Sequence, residues 1–225
     1  MSDPRVPRTR RWIAVAAGAL ALYAVVRATG TPQDDTAPSA GSSPSASPSG
    51  PSPSASPTPS PSFSYDPADQ AAEVRDRARE TGVSARLLMA ILYNEAYKPH
   101  DPALEKAWQK YKKDAAFGIA NMHRATYDEV RKGRDFASRP WEDLPDDRGL
   151  AIEAAAWYLH DLARQLPATW SAPYTEEELL ALGYNTGAGN MLAFARGATP
   201  GDQARSYLEK HRANWEKAGE VVGTD

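Results

Sequence analysis

The feature that most constrains folding is the run of residues 31–62, which consists almost entirely of Pro, Ser, Ala, Thr and Gly. Its only charged residues are Asp34 and Asp35, and it contains no large apolar side chain. Such a segment cannot bury enough apolar surface to offset the chain entropy lost on folding. We therefore predict a disordered linker over 31–63, so that any packed domain is built from residues 64–225.

The N-terminal residues 1–30 have the pattern of an export segment. Four arginines and one acid occupy residues 1–11, and residues 12–26 are uncharged and mostly apolar. A basic start followed by about 15 apolar residues indicates a signal peptide or a signal anchor, although a spanning helix usually needs roughly 20. We expect an extracytoplasmic protein, which is either secreted or held at the membrane by a transmembrane helix over residues 12–29.

Composition excludes several classes of function. The net charge is −3, so no basic surface for nucleic acid is expected. The chain has no cysteine, which excludes disulfides, thiolate metal sites and a cysteine nucleophile. Its four histidines have no spacing typical of a metal site. We predict no metal and no cofactor, and we expect a monomer.

Caps and apolar spacing after residue 63 predict one mainly helical domain without internal repeats. No stretch alternates between apolar and polar residues over more than four positions, so no extended sheet is predicted. The predicted helices run from Asp66 or Asp69 to Glu80, Ser84 to Tyr97 or Lys98, Pro102 to Lys113, Tyr127 to Lys132, Leu150 to Leu166, Thr175 to Gly183, Asn190 to Ala195 and Pro200 to Lys217.

The helix after Ser84 carries the most informative residue. Leu88, Ile91 and Leu92 lie on one face, and Glu95 continues that apolar stripe. A carboxylate on an apolar face near a helix C-terminus is disfavoured by burial and by the helix dipole, and both raise its pKa. Such a group suits a general acid near neutral pH, whereas the ordinary alternative is a surface residue or an ion pair.

Two further stretches have the composition of a site. Residues 116–126 place Gly118 and the polar Asn121 among apolar residues. Residues 182–189 contain three glycines with Tyr184 and Asn185, and we predict a tight turn after a helix there. Each stretch alone is more typical of a helix C-cap and its loop than of a site.

With the Glu95 helix, these stretches form an ordered set of motifs. The chain from about Asp66 to Lys217 resembles the catalytic domain of soluble lytic transglycosylases, in the lysozyme-like superfamily. That family has a helix ending in Glu-Ser, a Gly-Leu-Met-Gln-Ile-x-Pro-x-Thr segment, a helix containing Tyr-Leu, and an Ala-Tyr-Asn-x-Gly motif. The matching segments here, in the same order, are Ala90–Ala96, Gly118–Thr126, Trp157–Leu159 and Gly183–Gly187.

The match departs from the family at three positions. Ala96 replaces the serine after the acid, Asn121 replaces the glutamine, and Arg124 replaces the proline. These changes indicate a diverged branch, in which substrate and turnover are less constrained than the fold.

The resemblance implies a lysozyme-like helical fold and an enzyme that cleaves the β-1,4 bond between N-acetylmuramic acid and N-acetylglucosamine in peptidoglycan glycan strands. Glu95 would protonate the leaving oxygen and then deprotonate the muramic 6-hydroxyl, which leaves a 1,6-anhydro end. Tyr184 would orient the acid. The residues expected to bind substrate are Asn121, Gly118, Met122, Phe117, Asn185 and Tyr97, with Trp108 and His123 as further candidates for the sugar groove.

Two alternatives stay open. A lysozyme-type muramidase would hydrolyse the same bond with a second carboxylate, for which Asp101, Glu105 and Asp114 are candidates although each is expected at the surface. A non-catalytic wall-binding module would keep the groove without turnover, which Ala96 and Asn121 favour.

Overall fold

The computed structural model describes residues 65–98, 100–112 and 115–223, and this part is mainly helical, as predicted. The predicted export segment and linker, residues 1–63, lie outside the described residues. After a 3₁₀ helix at Pro67–Gln70, the described α-helices are α1 (Ala71–Thr81), α2 (Ala85–Glu95), α3 (Pro102–Gln109), α4 (Arg124–Val130), α5 (Arg148–Ala163), α6 (Glu176–Thr186), α7 (Ala188–Ala195) and α8 (Asp202–Val222).

Helix α2 is the centre of the domain. The Ser84 hydroxyl accepts a hydrogen bond from the Leu87 N–H at 3.2 Å, which confirms the predicted cap. The prediction of a single apolar stripe is too narrow, because all six residues from Leu87 to Leu92 are at most 1% exposed. A helix that is apolar on nearly every side is buried on nearly every side. Helices α1, α5, α6 and α8 pack around α2.

Helix α8 makes the most extensive contact with α2. The buried Asn94 side chain links the two helices: its Nδ2 donates to the Tyr207 carbonyl at 3.3 Å, and its Oδ1 accepts from Asn214 Nδ2 at 2.8 Å. Helix α8 continues to Val222, five residues beyond the predicted end at Lys217. This long contact fixes the position of α8 along α2.

The predicted turn over 182–189 is wrong for its first half. Helix α6 starts with the predicted cap at Thr175 and continues through Tyr184 to Thr186. Gly183 lies within this helix, and a Cβ there would lie 2.7 Å from Met191 Sδ. Glycine at this position therefore permits α7 to pack closely. The break comes only at Gly187, where φ is +86°.

A short hairpin that the sequence did not predict follows α3. The strand β1 (Ala116–Phe117) pairs antiparallel with β2 (Met122–His123). Two residues are too few to give an alternating pattern. The Asn121 N–H donates to the Gly118 carbonyl at 3.0 Å and closes the turn between the strands. Trp141, in a second 3₁₀ helix at Trp141–Asp143, donates from its ring N–H to the Met122 carbonyl at 2.9 Å.

Among the described residues, none of the helices combines the length and the apolar character that crossing a membrane requires.

Gly118 tests how tightly the turn between β1 and β2 is packed. Its φ is +70°, and an added Cβ would lie 2.8 Å from the Leu144 carbonyl oxygen. Gly82 has φ +73° with nothing within 4 Å of such a Cβ, so it is a matched control. We expect Gly82→Ala to lower the free energy of unfolding by about 1–2 kcal/mol through backbone strain. Gly118→Ala should cost about 1–3 kcal/mol more because of the clash. Urea unfolding of both variants measures the difference, and equal losses would contradict the packing described.

Candidate active site

Glu95 is the last residue of α2, and only 8% of it is exposed. Both carboxylate oxygens accept hydrogen bonds from side chains that are distant in sequence. The Tyr207 hydroxyl of α8 donates to Oε1 at 2.8 Å, and Asn121 Nδ2 donates to Oε2 at 3.0 Å. Three separate parts of the chain therefore meet at this carboxylate.

Asn121 is held in place by its backbone as well as by its side chain. Its φ of +46° lies in the left-handed region, which asparagine tolerates better than most residues. The same Nδ2 also donates to the main-chain carbonyl of Glu95 at 2.9 Å. Asn121 Oδ1 is buried and has no hydrogen-bond partner among the described residues. It is a free acceptor close to the carboxylate.

Tyr184 supports the turn at Gly118–Asn121 through its hydroxyl. Its hydroxyl donates to the Ala120 carbonyl at 2.7 Å, one residue before Asn121, and does not donate to the carboxylate. The role that the resemblance implies for Tyr184 is therefore indirect in this geometry. The neighbouring Asn185 has a buried Oδ1 without a hydrogen-bond partner among the described residues.

Sequence reasoning missed Tyr207, which is the tyrosine on the carboxylate. It lies on the buried face of α8 together with Ala204, Leu208 and His211. That spacing identifies a core tyrosine, whose hydroxyl needs a partner when buried. Nothing in the spacing identifies Glu95, 112 positions earlier, as that partner.

The environment raises the pKa of Glu95. Burial is the largest cause, because it disfavours the charged form. The hydrogen bonds from Asn121 and Tyr207 and the charges of Lys98 and His100 act in the opposite direction but do not cancel it. Glu95 therefore keeps its proton to a higher pH than an exposed glutamate.

A second buried carboxylate lies next to this site, and the expectation that Glu105 is at the surface is wrong. Its side chain is 7% exposed. Oε1 lies 3.0 Å from His100 Nδ1 and 3.4 Å from Lys98 Nζ, and Oε2 accepts from the Gly118 N–H at 2.8 Å. Burial alone would raise the pKa of Glu105, but His100, Lys98 and the Gly118 N–H outweigh it, and the pKa is lowered.

The remaining predicted residues separate into two groups. Phe117 and Met122 are buried beneath the turn, where Phe117 packs on Trp141 with ring centroids 4.5 Å apart. Their side chains support the turn and do not face solvent. Tyr97 is 69% exposed and Trp108 is 47% exposed, so Trp108 is not a core residue. Asp101 caps α3 through its Oδ1, and Asp114 lies outside the described residues.

One group of acidic side chains in the described ranges has the spacing of a metal site: Glu80, Asp135 and Glu153. The Arg77 guanidinium lies among them, 2.9 Å from Glu80 Oε2 and 3.0 Å from Glu153 Oε1. The arginine offsets part of the negative charge of this group.

No protein-family model matches this chain, and no curated protein matches it closely enough to count as a relative.

Replacing Glu95 by glutamine should stabilise the domain at neutral pH. A carboxyl whose pKa is raised by folding contributes its full stability below the unfolded pKa of about 4.3, and that contribution is lost as the pH rises through the folded pKa. Glutamine never ionises. The free energy of unfolding of Glu95→Gln should therefore exceed that of the wild type increasingly above about pH 4.3.

Urea unfolding between pH 4 and pH 8 measures this difference. Asp76→Asn is the control, because Asp76 is exposed and pairs only with Arg79 among the contacts described for it; its effect should stay within about 0.5 kcal/mol. An advantage of Glu95→Gln that grows towards acid pH would have the wrong sign.

Proposed function

We propose that this chain is a peptidoglycan lytic transglycosylase with a lysozyme-like fold. The observation that carries the proposal is the buried Glu95, whose two carboxylate oxygens are held by Asn121 and Tyr207. The two segments that contribute Glu95 and Asn121 are the first and second motifs of the resemblance. Tyr184, from the last motif, donates to the same turn. Motifs that are far apart in sequence thus meet at one carboxylate.

The chemistry follows from the protonation of Glu95. Because burial raises its pKa, Glu95 keeps its proton to a higher pH than an exposed glutamate and can donate it to the glycosidic oxygen as that bond breaks. The resulting carboxylate then takes the proton of the muramic 6-hydroxyl while that oxygen bonds to the anomeric carbon of its own sugar. One residue supplies and recovers the proton, and the product carries a 1,6-anhydro ring.

The surrounding acids favour this internal attack over hydrolysis. A glycosidase that uses water commonly needs a second carboxylate as base or nucleophile. Glu105 is the nearest acid along the chain with a buried side chain, but His100, Lys98 and the Gly118 N–H occupy its oxygens. Asp101 Oδ1 accepts the N–H groups of Ala103 and Leu104. An attacking sugar hydroxyl removes the need for either acid.

Groups suited to a saccharide lie beside the carboxylate. Asn121 Oδ1 is an unpaired but buried acceptor next to the carboxylate, so it accepts from an amide N–H or hydroxyl of an N-acetyl sugar only if binding uncovers it. Tyr97, Trp108 and Tyr111 expose much of their rings, two of them on or just after α3. Exposed aromatic faces with polar edges suit the mixed apolar and polar faces of sugars. The substrate we propose is a glycan strand that crosses α3 and reaches Glu95.

The proposed location is the cell wall. It rests on the basic and apolar pattern of residues 1–30 and on the Pro/Ser-rich residues 31–63, which as a flexible chain would extend about 30 Å. Such a linker would let the domain reach glycan strands outside the membrane.

Mass spectrometry of soluble products tests the reaction. Full-length wild type and Glu95→Gln are incubated with purified peptidoglycan. We expect 1,6-anhydro muropeptides from the wild type and a rate lower by at least about 10²-fold for Glu95→Gln, because the proton donor is lost. Reducing ends in place of anhydro ends would make the protein a muramidase. Tight glycan binding with no product would make it a wall-binding module.

Trp108 tests the proposed path of the glycan. Trp108→Ala should raise KM about 3- to 10-fold with little change in kcat, because loss of one contact of about 1 kcal/mol outside the reacting bond weakens binding uniformly. Leu104→Ala is the matched control: Leu104 is 64% exposed on the same helix but has no ring to stack on a sugar. Equal effects of the two variants would contradict aromatic stacking.

A further inference from the structure

Glu105 is unusual for a residue of a short surface helix. Its neighbours Leu104 and Trp108 on α3 are exposed, yet the Glu105 side chain is 7% exposed. Three donors from outside α3 contact it, and both of its oxygens are used. A buried carboxylate with this many partners is stabilised by specific contacts and not by solvent.

The first contact ties Glu105 to the turn. Oε2 accepts the Gly118 N–H at 2.8 Å, and Gly118 is the first residue of the turn that Asn121 closes. Asn121 then donates to both the main chain and the carboxylate of Glu95. Glu105 therefore anchors one end of a turn whose other end holds the candidate acid.

The second set of contacts is electrostatic. Oε1 of Glu105 lies 3.4 Å from Lys98 Nζ and 3.0 Å from His100 Nδ1. His100 Nε2 lies 3.3 Å from the Glu95 carbonyl oxygen. A carbonyl and an ionised carboxylate only accept hydrogen bonds, so both contacts form when each ring nitrogen carries a proton. In that form Lys98 and His100 are two cations beside Glu95, and Glu105 is the counter-charge.

We propose that Glu105 is a positioning residue of the site: it holds the Gly118–Asn121 turn against Glu95 and offsets the positive charge of Lys98 that lies beside that acid. The activity that this serves rests on the proposed function, but the electrostatic effect on Glu95 does not. Removing Glu105 exposes Glu95 to uncompensated positive charge. Removing Lys98 leaves the negative charge of Glu105 in excess.

The other groups near Glu95 do not supply a competing charge. Burial raises the pKa of Tyr184 and Tyr207, so these hydroxyls stay neutral over the working range. The Asn121 amide does not titrate. Among the described residues, the charged groups that face Glu95 or its partners from neighbouring segments are Lys98, His100 and Glu105.

The test measures the pKa of Glu95 directly in the full-length chain, by ¹³C NMR of labelled glutamate carboxyls assigned with Glu95→Gln. In Glu105→Gln, an oxygen remains for the Gly118 N–H but the charge is gone, and we expect the pKa of Glu95 to fall by about 1 pH unit. In Lys98→Met we expect it to rise. The double variant should return towards the wild type. Lys132→Met, an exposed lysine paired with Glu129, should leave it unchanged.

Shifts of opposite sign in the pKa of Glu95 distinguish positioning from a merely structural role. A loosened fold would shift that pKa in the same direction in both variants. The pKa on the alkaline limb of the pH–rate profile should likewise fall in Glu105→Gln and rise in Lys98→Met. If Glu105→Gln does not fold, the double variant is compared with Lys98→Met, a replacement at a 30% exposed position. In that background, loss of the Glu105 charge should lower the pKa of Glu95, and an unchanged pKa overturns the inference. An unchanged Glu95 titration in folded variants overturns the inference. Absence of glycan cleavage by the wild type would overturn only the proposed function, because the NMR titration needs no turnover.

Discussion

The structure of this domain depends on one costly arrangement, a carboxyl group buried at the C-terminal end of a helix that is itself buried. Both burial and the helix dipole oppose a negative charge there. The group is tolerated because Tyr207 and Asn121 donate to its two oxygens and because it keeps its proton to higher pH. The raised pKa means that ionisation of Glu95 lowers the stability of the domain at higher pH.

Much of the remaining fold positions these two donors. Asn94, one residue before Glu95, donates one hydrogen bond to α8 and accepts another from it. These bonds fix the position of Tyr207 relative to α2. Tyr184 of α6 holds the turn through Ala120, and Glu105 of α3 holds the same turn through Gly118. These two hydrogen bonds, one at Gly118 and one at Ala120, leave Asn121 little freedom. This restraint is the preorganisation that the proposed acid catalysis would need.

Local signals in the sequence were reliable where the relevant contacts are local. The caps at Ser84 and Thr175 depend on residues three positions away, and both are present. The burial of Glu95 follows from a stripe on its own helix. The predicted turn at Gly183 was wrong because that glycine serves close packing of α7 within a continuing helix. Glu105 was misplaced because its burial depends on Lys98, His100 and Gly118, which no periodicity connects.

The sequence by itself determined that the described part of the chain is mainly helical and that Glu95 lies on an apolar face. Both follow from composition and from helical spacing, which act over a few residues. Only the tertiary structure decided which groups meet Glu95. The pairing with Tyr207 spans 112 positions and depends on the packing of α8 on α2. The contacts of Glu105 with Lys98 and His100 depend on how α3 packs beside the end of α2, which no local pattern encodes.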